Sequence, residues 1–368
     1  VRGLRVTQIK LMDRMFLVGP PGIGKTEIVR DLAEEEARRR GKVFADLCGE
    51  VGDDLVEHVK RNSSGHYLFL RVVAPHVSPE EVSFPRYRGG FVDVAPPRKL
   101  YLLTLPGVEG VLFVDEITNV QLDAQVAMFF SLVQEKEFGW GFKLSPSVKV
   151  VLAGNPPDWS EVVRSLPKPL RSRLTILEVD APSIEEWRSY MERKYGERWE
   201  KRAYLYLKMY PHDFIRPPAD DWGNFPTPRN WTALAALLYE LESERVPSEL
   251  VEEACSGRLG REVGAKFYTF LSSRISPEEV ELVAENPELF ASLNLSKKLL
   301  IIYALSSAPL GDLLKKYNDL LYFILRREKE LFALFIRLLP PDVRAEYAAE
   351  RMDWVEEAVG DLDGLELG

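Results

Sequence analysis

Cysteine and histidine are scarce in this 368-residue chain: two cysteines, Cys48 and Cys255, and four histidines, His58, His66, His76 and His212. Two distant thiols make neither a disulfide framework nor a Cys-x-x-Cys metal pattern, and the imidazoles have no ligand spacing. This excludes a disulfide-stapled secreted module and a His/Cys metal centre, and it points to a reducing, cytoplasmic setting. No stretch approaches the ~18–20 apolar residues of a membrane helix. The longest are 299–305 and pieces of 320–339, and Arg326-Arg327-Glu328-Lys329-Glu330 interrupts the second. No N-terminal signal segment, internal repeat or low-complexity tract is visible. Basic charge is also short: 48 Lys and Arg face 57 Asp and Glu, a net charge of −9. That balance argues against a broad nucleic-acid surface. Asn and Gln are few beside Glu, Arg and Pro, a composition found in heat-adapted proteins.

What the chain does have is apolar residues, 46% of it, enough for the cores of two or three domains. Its first half alternates strand and helix patterns. Strands are expected at Met15–Val18, Tyr67–Val73, Val111–Val114, Val148–Ala153 and Leu174–Val179. Helices are expected at 27–40, 53–61 and 121–134. Repeated strand–crossover–strand units imply a parallel sheet covered by helices. After Asp180 the pattern is helical: 183–195, 199–209, 231–243, 247–255 and 263–273, with a proline-rich connection over 211–228. Further helices are expected at 277–285, 296–307, 312–321, 328–338 and 341–359. The expected domains are therefore an α/β domain over 1–180, a helical lid over 181–275 and a helical extension over 276–368.

Between the first strand and the first helix lies Gly19-Pro20-Pro21-Gly22-Ile23-Gly24-Lys25-Thr26. Strand, glycine loop, helix is the context in which G-x-x-x-x-G-K-T builds a phosphate site. The glycines let successive N–H groups turn inward as an anion nest, and the helix N-terminus adds its positive end. Lys25 can reach the β- and γ-phosphates, and the Thr26 hydroxyl can ligate Mg²⁺. Downstream, Val111-Leu112-Phe113-Val114 runs into Asp115-Glu116. An acid at the end of a buried strand beside a phosphate loop stands where Mg²⁺ needs it. Asp115 can hold a metal-bound water, and Glu116 can polarise an attacking one.

These two motifs in this order resemble the Walker A and Walker B motifs of the AAA+ ATPases. The resemblance covers roughly residues 12–273 and implies ATP and Mg²⁺ as ligands and ATP hydrolysis as the reaction. It also assigns further residues. Asn155, in Ala153-Gly154-Asn155-Pro156-Pro157, matches the first sensor. Leu170-Arg171-Ser172-Arg173-Leu174 matches the arginine-finger segment, with Leu174 where the family has Phe. Arg173 aligns best and Arg171 second. Arg229, in Thr227-Pro228-Arg229-Asn230-Trp231, matches the second sensor at the start of a lid helix.

Finer features resemble the MoxR-like branch. They are Asp115-Glu116-Ile117-Thr118-Asn119 with Gln125, the expected hairpin over 138–144, and an insertion containing Pro79-Glu80-Glu81-Val82 and Gly89-Gly90-Phe91-Val92-Asp93. Residues 43–62 look like an addition to the simpler family pattern. The resemblance implies a chaperone-like remodelling ATPase acting on a partner protein, with a von Willebrand factor A-type domain protein among the expected partners. A finger at the far edge of the domain completes only a neighbour's site, which implies a homo-oligomer, a hexameric ring in this family. Phe84, Arg86, Tyr87, Arg88 and Phe91 have the character of a pore hairpin that grips a polypeptide. Two other readings stay open. One is a nucleotide-gated scaffold with slow turnover; the other, disfavoured by the acidic balance, is a nucleic-acid motor.

Overall fold

The structure, a computed structural model, describes residues 9–138, 141–159, 166–218, 223–244, 246–273 and 275–359. The chain divides into two compact units. One takes in the described residues up to 183 together with 217–218 and 227–229, and the other the remainder.

The first unit is built on a sheet whose strands are β1 (Met15–Val18), β2 (Val43–Asp46), β3 (His66–Val73), β6 (Glu109–Asp115), β9 (Val148–Gly154) and β10 (Thr175–Glu178), in the spatial order β10-β1-β9-β6-β3-β2. Every pairing in it is parallel. A parallel sheet needs helical crossovers that cover both faces, so its inner strands are largely apolar. Accordingly Val111, Leu112, Phe113 and Val114 are all buried. Phe16, Leu68, Leu70, Leu112, Val114, Val150 and Leu152 form one core with α2 (Asp53–Arg61), α3 (Arg98–Thr104) and α4 (Asp123–Glu135). On the other face α1 (Lys25–Arg39) lies against β2, β3 and β6, with Val29, Ala33 and Ala37 buried. Glu36, on the charged side of α1, accepts from Lys149 of β9 at 2.7 Å and so ties that helix to the sheet.

The expected fold class holds: an α/β parallel sheet of the P-loop NTPase class with flanking helices, followed by a helical region. The five expected strands are present. The sixth, β2, was read only as part of an insertion, because Val43-Phe44-Ala45-Asp46 is short and sits at the edge, where one exposed side blurs the apolar signal. Helix α3 was not foreseen either. Two antiparallel hairpins stand outside the sheet: β4 (Phe84–Arg88) with β5 (Phe91–Ala95), and β7 (Glu137–Phe138) with β8 (Phe142–Lys143). Residues 139–140 of the second, and 219–222 of the proline-rich connection, lie outside the described residues.

The second unit is helical throughout its described residues. A continuous hydrophobic core runs from Trp187 to Ala358, crossing position 276 without a break. Its aromatic centre packs Tyr206 against Trp231, Phe267 and Phe270 with ring centroids 5.1–5.8 Å apart. The polar ends are satisfied inside: Trp231 Nε1 donates to Asp213 O at 2.9 Å and Tyr206 Oη to Asp213 Oδ2 at 2.7 Å. Two expected helices are each divided. Residues 310–314 and 318–327 replace the single helix over 312–321, and 341–350 and 352–359 replace that over 341–359. At the second break Arg351 leaves helical geometry (φ −135°, ψ 44°) and its guanidinium donates to Asn318 Oδ1 at 2.9 Å. Both cysteines are free, and burial pushes the Cys48 thiol up to about 11 and that of Cys255 to about 12. Among the described residues no helix is long and apolar enough to cross a membrane.

Candidate nucleotide site

In a parallel sheet, the carboxyl ends of the strands open onto the ligand crevice. Three neighbouring strands, β1, β9 and β6, end there in the glycine loop, in Asn155 and in Asp115-Glu116. Gly22 and Gly24 have φ of +73° and +90°, a left-handed backbone that side chains resist, and Gly24 is the N-cap of α1. No side chain caps that helix, so its first-turn N–H groups remain open to an anion. Gly19 is needed for space: a Cβ there would stand 2.5 Å from Val179 O.

Lys25 is 8% exposed. Its Nζ donates to Gly19 O (2.7 Å), Pro20 O (2.8 Å) and Asn155 Oδ1 (2.9 Å). Burial pushes its pKa down to about 8; the positive charge of Arg229 acts in the same direction, while Asp115 and Glu116 pull it up. Thr26 Oγ1 donates to Asp115 Oδ2 at 2.9 Å. The expected metal pair is therefore in direct contact. Asp115 is 6% exposed, and its Oδ1 accepts the backbone N–H of Glu116 at 3.0 Å.

Glu116 itself sits at φ 58°, ψ 32°, a left-handed conformation that costs a non-glycine residue on the order of 1–2 kcal/mol. Its Oε2 accepts from Asn119 Nδ2 at 3.4 Å. Asn155 is braced from behind, its backbone N–H donating to Thr118 Oγ1 at 3.1 Å.

Arg229 comes to the loop through its backbone, N–H to Gly22 O at 3.0 Å. A Cβ on Gly22 would meet Thr227 Oγ1 at 2.9 Å and Arg229 Cβ at 3.2 Å. The remaining two residues are elsewhere. Arg171 and Arg173 precede β10, whose first residue, Thr175, pairs with Met15, while the loop follows Val18 at the opposite end of β1. Arg173 is held within its own chain, with Nη1 donating to Pro169 O at 2.6 Å and the guanidinium 4.8 Å above the Phe130 ring. Arg171 is exposed, and among the described residues no such partner is found for it.

Sequence reasoning missed Arg71, on β3. Its Nε and Nη2 stand 2.9 and 2.8 Å from Asp115 Oδ2. The signal was present as a lone charge in the otherwise apolar run Tyr67–Val73. Asn119 and Thr118 were noted only for their likeness to a family pattern.

A scan against protein-family models gives no match, and a search of curated proteins finds no match either. Among solved structures the chain is similar to NtrX from Brucella abortus in complex with ADP (15% identity, 93% of this chain and 64% of that one, TM-score 0.35). It is similar to the Aeropyrum pernix ORC1 protein in complex with DNA (15%, 90% and 79%, TM-score 0.36). It is also similar to the Thermotoga maritima RuvB Holliday junction branch migration motor (16%, 87% and 82%, TM-score 0.34). The chain thus spans 64% of the length of the NtrX chain. Likeness of this degree carries no argument about activity; the fold class rests on the strand order and on the loop that follows β1.

Proposed function

We propose that this chain is an AAA+ ATPase that binds ATP with Mg²⁺ in the crevice at the ends of β1, β9 and β6 and hydrolyses it to ADP and phosphate. The observation that carries the reading is the convergence of Lys25, Thr26, Asp115, Glu116 and Asn155 from separate segments onto one uncapped helix N-terminus. The loop residues Gly19, Pro20, Pro21, Gly22, Ile23 and Gly24 shape the anion nest.

Asp115 and Thr26 offer hard oxygen donors that already touch, a donor set that fits Mg²⁺. That ion takes one or two protein ligands and completes its shell with water and phosphate oxygens. When bound, it would neutralise charge on the transferred phosphoryl group. Lys25 would exchange its carbonyl partners for phosphate oxygens. Glu116 would accept a proton from, or orient, the attacking water. Asn155, fixed by Thr118, would hold that water or the terminal phosphate. Arg229, anchored to Gly22, would report the occupancy of the site to the helix it begins.

Arg171 and Arg173 lie at the far end of the sheet from their own loop, about 13 Å away at ~3.3 Å per strand residue. An arginine finger there would serve another copy, which supports a homo-oligomer and agrees with the ring expected by resemblance. The exposed guanidinium of Arg171, without a side-chain partner among the described residues, makes it as strong a candidate as Arg173.

The finer reading, a MoxR-type remodelling factor working in the cytoplasm, is supported by the β4–β5 hairpin. Phe84, Tyr87 and Phe91 are exposed on it, Tyr87 to 86%, beside Arg86 and Arg88. A von Willebrand factor A-type partner comes from the resemblance and from no residue of this chain. The same hairpin favours a second reading, because exposed aromatics with arginines also stack on single-stranded bases. Nucleic acid, disfavoured by the net charge, therefore stays open, because an acidic average leaves room for a local basic patch.

The test is ATP turnover per protomer over a wide range of protein concentration, for the wild type and for Glu116→Gln. Turnover that rises cooperatively with concentration and vanishes in the variant is expected. Tight ATP binding with flat, negligible turnover would favour the nucleotide-gated scaffold instead.

A further inference from the structure

Asp115 Oδ2 is crowded. It accepts from Thr26 Oγ1 at 2.9 Å and from Arg71 at 2.9 and 2.8 Å. The other oxygen of the carboxylate is taken by the Glu116 N–H. Lys25 spends its donors on Gly19, Pro20 and Asn155. Among the described residues Arg71 is therefore the cation in direct contact with this carboxylate. Its position follows from register: β3 pairs with β6, and Arg71 stands opposite Phe113, two residues before the Val73–Asp115 pair. The Arg71 side chain is 36% exposed, whereas that of Asp115 is 9% exposed. The guanidinium can withdraw toward water; the carboxylate cannot.

We infer that Arg71 is a resident counter-cation that competes with the divalent metal for Asp115 Oδ2, and so sets the metal concentration at which the site takes up nucleotide. The inference rests on the nucleotide reading above. A buried carboxylate without a partner is costly, so without metal the two-pronged Arg71 contact holds Asp115 in place. The same oxygen cannot give its full charge to a second cation while two guanidinium nitrogens bind it. Entry of the metal must break a charge-assisted pair. The chain thereby accepts weaker metal affinity in exchange for an ordered empty site.

The experiment titrates a fluorescent ATP analogue onto the full chain at a series of Mg²⁺ concentrations, with free Mn²⁺ measured by electron paramagnetic resonance as a second readout. Arg71→Met removes the charge and keeps the length; Arg71→Lys keeps a charge and loses the two-pronged contact. The metal midpoint should fall about three- to tenfold in Arg71→Met, the scale of one hydrogen bond's net contribution, with Arg71→Lys in between. The nucleotide-free, metal-free Arg71→Met chain should also unfold at a lower temperature than the wild type. An unchanged or raised midpoint in Arg71→Met, with the wild type showing metal-dependent binding, overturns this inference alone. A wild type that binds no nucleotide at any metal concentration overturns the site reading and this inference together. If Arg71→Met does not fold, Arg71→Lys decides: a midpoint at or above that of the wild type overturns the proposal.

Discussion

The Arg229 backbone N–H donates to Gly22 O at 3.0 Å, which joins the phosphate loop to a segment from a distant part of the chain. Gly22 can serve this contact because it has no side chain and accepts φ +73°. Gly22→Ala would meet both a backbone penalty and the Thr227 side chain, at 2.9–3.0 Å. It should destabilise the chain by roughly 1–3 kcal/mol and weaken ATP-analogue binding. Gly24→Ala, with φ +90° but nothing within 4 Å, should cost only the backbone part, about 1 kcal/mol. Denaturant melts of the two variants measure the difference, which is the contact itself.

Glu116 holds a left-handed backbone that glycine would adopt freely. Glu116→Gly should therefore raise nucleotide-free stability by about 1 kcal/mol while turnover falls by about 10²-fold or more. A stability loss in the denaturant midpoint would show that Glu116 contributes packing that outweighs its strain.

The lowered pKa of Lys25 gives a pH dependence of known sign. Its folded value is about 8, against an ordinary 10.5. Between those values the unfolded chain binds the extra proton, so the Lys25 contribution makes stability rise with pH across that window. Added phosphate charge favours protonated Lys25, so ATP-analogue binding should take up a proton at pH 8.5–9. Its affinity should weaken by up to about tenfold per unit as pH rises above 8. Calorimetry in buffers of different ionisation enthalpy measures that uptake, and Lys25→Met should abolish it along with most of the binding.

Arg171→Ala and Arg173→Ala should each leave nucleotide binding intact. Whichever is the finger should lose about 10³-fold or more in turnover. Mixing that variant with Lys25→Met, itself inactive, should restore part of the activity, because each copy supplies what the other lacks. Two inactive variants that stay inactive when mixed would remove the argument for sites completed in trans.

Tyr87→Ala and Phe91→Ala lie on the exposed hairpin, and basal ATP turnover should not change. Partner-stimulated turnover, or single-strand binding measured at several salt concentrations, should fall. A steep salt slope would favour nucleic acid over polypeptide as the occupant. If neither readout moves, the hairpin has no gripping role.

The sequence alone determined the local features of this protein. The glycine loop, the apolar strand ending in Asp115-Glu116 and the switch from strand to helix patterns are contiguous in the chain and obey fixed periods. The four inner strands were legible because burial on both faces leaves few polar positions to confuse them, and β10, at the sheet edge, because Leu174–Val179 is a largely apolar run. The edge strand Val43–Asp46 and the helix breaks at 315–317 and 351 were not, since an exposed edge and a side-chain contact such as Arg351 with Asn318 leave no period. Only the tertiary structure decided which distant residues meet. Arg71 reads as one charge in a strand until the register of β3 on β6 sets it against Asp115. The sequence ranks Arg173 ahead of Arg171, and only the fold shows Arg173 packed over Phe130. Periodicity is a property of neighbours in sequence. A site is a property of neighbours in space, and strand order brings these together.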